Sequence, residues 1–414
     1  MKLIAGEKIN FPGKETLINQ NLTKDEISDK YTRGEVRIVT EQARYPLITI
    51  PAMLSSGDYN LNPEFQRRNR WSFSKQSRLI ESFIMNVPIP PVFLYEVAYS
   101  SYEVMDGLQR LTAINDFYEG KFVLTGLDQW PELNGMNYKS LPEQVRRGID
   151  RRYLSSIILL QETARNESEA IRLKQLVFER INSGGEKLEP QESRNALFNG
   201  PLNQMCIRLA RSESFCKMWG IPTEKDLESS KFTTQISLFI DDIDQEPEQV
   251  NILQSNAMYK KMQDVELVLR FFAYRQLSAV VQGKLEDYLD IYLKFGNLFT
   301  DKVLNQLEDI FINTSDLIYE ILGERAFFLY RKRTNNNWQW FERPTKVLYD
   351  PLMNSFSKQL KNKGVIISKS KEIKQKLIDL YKDNPETFEG RSTNQQDVFK
   401  RIDLIDRFLK TFLG

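Results

Sequence analysis

The chain has 414 residues, 41% hydrophobic and 27% charged, a folding composition long enough for roughly two to three domains of ~150 residues. Lysine plus arginine is 57 against 56 aspartate plus glutamate, a net charge of +1, so nucleic-acid binding must rest on local patches rather than a global basic field. There is no histidine, and the cysteines are two, Cys206 and Cys216. That excludes a His-dependent triad and an HNH-type nuclease within this sequence, and leaves a zinc site short of its usual ligands.

The cysteine usage suits a reducing compartment. The first residues show no apolar leader core, and no uncharged apolar run reaches membrane length. The expectation is a cytoplasmic protein with no membrane partner. Any metal would be a hard ion such as Mg²⁺, held by carboxylates and substrate oxygens.

In chain order, residues 1–45 are polar and charge-mixed, with Thr23 and Glu26 spaced for a helix-opening capping box. Residues 37–40 and 47–50 read as short strands. Residues 75–85 read as a helix with Leu79, Ile80, Phe83 and Ile84 on one face, stopped before Pro88, Pro90 and Pro91. Residues 92–96 and 102–105 read as two strands. After about residue 160 the pattern turns helical, over 169–181, 190–198, 265–277, 285–295, 304–322 and 371–381, with few convincing strands. Residues 241–250 and 331–339 read as loops. The expected organisation is α+β: a mixed α/β domain at 1–160, then a mainly helical domain at 161–414 with a sub-boundary near 240–260.

Three clusters carry candidate chemistry. The first is Asp106-Gly107-Leu108-Gln109-Arg110-Leu111-Thr112. Asp-Gly between apolar runs suits a hairpin turn, but Leu111, Ile114 and Tyr118 recur at helical spacing up to Gly120, which favours strand, turn, helix. A helix start with an Arg fork suits an anion such as phosphate. Asp106 would repel a phosphate, so it binds Mg²⁺, orients Arg110 or positions a water. The bland alternative is that Asp106 caps the helix and Arg110 forms a surface ion pair; both readings stand on pattern alone.

The second cluster places Gln66, Arg67, Arg68, Arg70 and Lys75 among Phe65, Trp71 and Phe73, a mixture that can hold phosphates and stack a base. A solvated turn anchored by its aromatics has the same pattern. The third is Asn182-Ser183-Gly184-Gly185, either a helix stop or a loop whose backbone approaches a ligand. Arg146, Arg147, Arg151 and Arg152 form a further basic group, usable on a DNA backbone or as a helix face.

Taken in order, these pieces resemble the family of the S component of GmrSD-type modification-dependent restriction systems. The match runs through Phe65-Gln66-Arg67 and Trp71, residues 79–82 and 88–91, the 106–112 stretch, residues 178–185, Gln191-Glu192 and Arg194-Asn195-Ala196. The family motif is usually Asp-Gly-Gln-Gln-Arg, and here Leu108 stands in place of the first Gln. The resemblance implies a ParB/sulfiredoxin-like N-terminal domain with Asp106, Gln109 and Arg110 as catalytic residues, and Gln66, Arg67, Gly107, Thr112, Asn182, Gly184 and Gly185 around an NTP (ATP, GTP or CTP) with Mg²⁺ at Asp106. DNA would meet Arg68, Arg70, Lys75, Arg146, Arg147, Arg151 and Arg152. It further implies a sensor or regulatory protein of phage defence, working with a nuclease or other effector. A homo-oligomer is compatible with it. The alternative is a non-catalytic module that binds modified or ordinary DNA.

Overall fold

The computed structural model describes residues 3–9, 11, 23–32, 38–61, 68, 71–160, 167–182, 189–226, 252–277, 285–332, 337–389 and 395–413. The chain divides into two units, Thr16–Leu188 and the pair of segments Met1–Glu15 and Glu189–Gly414. The first carries a five-stranded mixed sheet, and the second is mainly helical, the mixed-then-helical order expected.

In the Thr16–Leu188 unit the described elements run α1 (Lys24–Thr32), β1 (Thr40–Pro46), α2 (Ile50–Ser55), β2 (Tyr59–Asn60), α3 (Phe73–Ile84), β3 (Val92–Ala98), β4 (Ser101–Asp106), α4 (Leu108–Tyr118), α5 (Glu143–Asp150), β5 (Tyr153–Leu159) and α6 (Glu167–Asn182). The sheet order is β1-β5-β3-β4-β2. β3 pairs antiparallel with β4 and parallel with β5, so β3 sits at the centre. One core joins Leu79, Ile80 and Phe83 of α3 to Leu111, Ile114 and Phe117 of α4, closed by Val92, Leu154 and Ile149. α6 packs against β4.

Local chemistry explains these elements. The Ser72 hydroxyl accepts from the Lys75 N–H and opens α3, an ordinary N-cap. Arg152 donates to the carbonyls of Phe83 at 3.0 Å and Ile84 at 3.3 Å, covering the last-turn acceptors that a helix leaves bare. The expected strand at 47–50 is corrected: Leu47–Thr49 is a 3₁₀ turn leading into α2. Pro46 closes β1, and Pro51 falls in the first turn of α2, where a missing N–H costs nothing. Strand β5, absent from the sequence reading, alternates buried Leu154, Ser156 and Ile158 with more exposed residues.

In the Glu189–Gly414 unit the helices are α7 (Pro190–Leu197), α8 (Pro201–Leu209), α9 (Glu213–Trp219), α10 (Ile252–Ser255), α11 (Ala257–Lys260), α12 (Gln263–Tyr274), α13 (Leu285–Gly296), α14 (Asp301–Leu322), α15 (Lys346–Ser357), α16 (Lys363–Ser368), α17 (Ser370–Asp383), α18 (Pro385–Glu389) and α19 (Gln395–Lys410). The expected loop at 331–339 is corrected at both ends. It is bracketed by a hairpin, β6 (Phe328–Lys332) and β7 (Trp338–Pro344), whose β-propensity comes from tyrosine, tryptophan and phenylalanine. The expected loop at 241–250 lies outside the described residues. Residues 3–9 join this unit through a buried ion pair, Glu7 with Arg275 at 2.6 Å. Among the described residues no helix is long and apolar enough to cross a membrane.

Candidate functional site

The first cluster forms the turn expected of it. β4 ends at Asp106, Gly107 adopts φ +91°, and α4 starts at Leu108. A bulge precedes the turn: Phe93 faces Asp106 while the next residue, Leu94, faces Val104, leaving Met105 extra on β4. Such an insertion bends the strand and re-aims the residue that follows it. Gly107 has two reasons to be glycine. Its φ is left-handed, and a Cβ there would stand 2.4 Å from Val92 Cγ1 and 2.9 Å from Arg110 Nη2. Backbone geometry and close packing therefore both require glycine here. Gly107→Ala is expected to lose roughly 2–3 kcal/mol of stability, from left-handed backbone strain and overpacking together, read as a lower urea midpoint at unchanged slope. A midpoint equal to the parent's would refute that account.

No side chain caps the N-terminus of α4, so Asp106 is not the cap. Its carboxylate instead accepts from Arg110 Nη2 at 2.6 Å, and the same nitrogen lies 3.2 Å from the Pro91 carbonyl. The pair is partly shielded, with the Arg110 side chain 15% exposed and that of Asp106 37%. Gln109 Oε1 accepts from the Trp71 backbone N–H at 3.1 Å, which ties the motif to the second cluster. Lys75 lies 4.7 Å above the Trp71 ring.

Two donors at this turn, Arg110 Nε and Gln109 Nε2, are buried and have no hydrogen-bond partner among the described residues. Buried donors are nearly always satisfied, and these two lie on adjacent residues of the turn. Both stand beside the uncapped start of a helix, whose amides also favour an anion.

The remaining expected residues divide clearly. Thr112 is buried and donates its hydroxyl to the Leu108 carbonyl at 2.9 Å, which spends that donor inside the helix. Arg68 is 1% exposed, so its side chain is buried. Arg152 holds the end of α3, and Arg147 pairs with Glu143 at 2.5 Å. Arg146 is half-buried, and Arg151 and Lys75 are exposed. Asn182 closes α6, its side chain outside the described residues, and Gln66, Arg67, Arg70, Gly184 and Gly185 lie outside them as well. Among the described residues no three carboxylates or cysteines gather as a metal site. Asp106 thus offers Mg²⁺ a single carboxylate, one already engaged by Arg110.

The sequence reading missed the carbonyl of Pro91 and the N–H of Trp71, for which side-chain patterns carry no signal. It also missed Lys174 of α6, which is buried, paired with Glu103 of β4 and 5.2 Å above the Tyr95 ring. In the other unit, Arg194 of α7 is 2% exposed and donates to Asp290 at 2.6 Å and Glu266 at 3.1 Å. Burial pushes the Glu266 carboxyl up, and Lys346 and Arg194 together bring it below the usual value. At Asp290 burial prevails and the carboxyl is held above its usual value.

The class defined so far is a mixed α/β domain with a strand–glycine–helix turn. Residues 50–199 match the family model described as GmrSD restriction endonuclease, N-terminal domain. The matched stretch runs from α2 to α7 and includes the whole Asp106–Arg110 turn. No curated protein and no solved structure matches the chain.

Proposed function

We propose that this is a nucleotide-binding, NTP-hydrolysing regulatory component of a restriction-type defence system. The observation that carries the reading is the adjacent pair of buried, unpartnered donors, Gln109 Nε2 and Arg110 Nε, at the uncapped start of α4. A polyphosphate supplies the acceptors that both lack. Arg110 and Gln109 would hold phosphate oxygens. Asp106 holds Arg110 in place before the nucleotide arrives and takes part in ordering the attacking water. Mg²⁺, carried in by the phosphates, would supply charge neutralisation on their oxygens. With no histidine in the sequence, HNH chemistry is not this chain's, and its turnover would switch an effector that handles DNA.

The test is a phosphate-release screen over ATP, GTP, CTP and UTP with Mg²⁺, with and without DNA. The expected result is turnover of at least one nucleotide. Neither release nor binding of any of the four would refute the reading, and salt-dependent DNA binding without turnover would favour the non-catalytic module instead.

A further inference from the structure

The β6–β7 hairpin in the mainly helical unit collects aromatic and basic side chains that the nucleotide reading does not use. Its register pairs Tyr330 with Trp340 and Lys332 with Trp338. Directly paired residues share a face and so do residues two apart, which places Tyr330, Lys332, Trp338 and Trp340 on one side of the ribbon. The Tyr330 and Trp338 rings stack with centroids 5.8 Å apart and planes 14° apart, and Trp340 meets Tyr330 edge-on at 5.2 Å. Lys332 lies 5.6 Å from the Trp338 ring and Lys382 of α17 lies 5.7 Å from that of Tyr330. On the other side Arg331 and Arg343 flank the Phe341 ring at 4.2 Å and 4.5 Å.

These rings are only half-buried, whereas Trp219 of the same unit is 6% exposed. Core packing therefore does not account for them. Charge adds a second argument. In a chain with net charge +1, the two hairpin strands, Phe328–Lys332 and Trp338–Pro344, carry Arg331, Lys332 and Arg343 against Glu342 alone. A local basic patch in a neutral chain is an electrostatic footprint for a polyanion. Flat rings interleaved with cations bind nucleobases and phosphates together.

We infer that the Trp338 face of the hairpin is a docking surface for single-stranded DNA, with bases stacking on Trp338 and Trp340 and phosphates meeting Lys332 and Lys382. Duplex DNA offers the same phosphates but keeps its base faces stacked, so the rings select the open strand. This goes beyond the nucleotide reading and does not rest on it.

The experiment measures anisotropy of a labelled oligo(dT) and of a matched duplex with the full chain, without nucleotide and with Mg²⁺ chelated. Single-stranded DNA is expected to bind at least about tenfold more tightly than duplex, and Trp338→Ala to weaken it about tenfold or more. Trp338→Phe keeps a ring and should bind within about threefold of the parent. Lys332→Gln should weaken both DNA forms alike and flatten the salt dependence. Equal affinity for duplex, no binding of oligo(dT), or unchanged binding by a Trp338→Ala variant with the parent's melting temperature would each overturn the assignment.

Discussion

Arg110→Ala should abolish phosphate release, with a fall of about 10²–10³ in turnover, the usual consequence of deleting one donor aimed at developing charge. The size follows from where Arg110 stands. Its Nη2 is already oriented by Asp106 at 2.6 Å and by the Pro91 carbonyl, and its Nε is buried without a partner. A guanidinium fixed on one edge and open on another is pre-organised for an oxyanion, so little is lost in ordering it when a phosphate arrives. Arg110→Lys keeps the charge but loses the planar fork, and turnover should fall between the parent and the alanine variant. The stability cost of Arg110→Ala should be modest, about 1 kcal/mol, because Asp106 is more than a third exposed and water can take over from the arginine. Phosphate release and melting temperature measured on the same samples separate the two effects. Parent-like turnover in Arg110→Ala would remove this turn from the chemistry altogether.

Gln109→Ala probes the same turn from the other side. Its Oε1 accepts from the Trp71 N–H and so fastens the segment bearing Trp71 and Lys75, while under the proposed function its Nε2 donates to the nucleotide. A loss of nucleotide affinity together with a small loss of stability is the signature of that double duty, because each end of one amide serves a different partner.

The turn was legible because its chemistry is local. Asp-Gly followed by Leu111, Ile114 and Tyr118 at helical spacing leaves one geometry that fits both, and the structure has it. Residues 47–50 depart from the strand expectation for an equally local reason: Pro46 and Pro51 bracket the β-branched, apolar run, ending a strand and admitting a helix. The surroundings of the basic groups are set non-locally. Arg152 and Arg68 look like free charge in the sequence. What fixes them is a partner or a burial site distant along the chain, as with the carbonyl of Phe83. Charge is written in the sequence, but its target is set by tertiary structure. The same limit hid the β6–β7 hairpin, whose strands flank a polar Asn-rich stretch and are joined by an antiparallel ladder and cross-strand aromatic contacts.

Glu7→Ala is the second large expected effect, a loss of about 3–5 kcal/mol of stability. Glu7 is fully buried and meets Arg275 in a two-pronged pair, Nε to Oε1 at 2.6 Å and Nη2 to Oε2 at 2.9 Å, with both side chains almost without solvent contact. Gln276 fastens the same strap twice more, donating to the Glu7 carbonyl at 2.5 Å and accepting from the Ile9 N–H at 2.8 Å. Removing the carboxylate strands a guanidinium in a dry site, where desolvation is no longer offset by attraction. Replacing both partners, Glu7→Leu with Arg275→Met, removes the stranded charge and should restore most of the loss, because a buried pair often balances against apolar residues of similar volume. Urea unfolding of the three variants distinguishes this from simple loss of packing. Packing loss would make the double variant worse than Glu7→Ala, whereas a stranded charge makes it better. The strap also closes the mainly helical unit from the far end of the sequence, so Glu7→Ala should expose residues 3–9 to protease before α12 and α14 are cut. Cleavage that begins instead within α12 would show that the strap contributes little to holding the unit together.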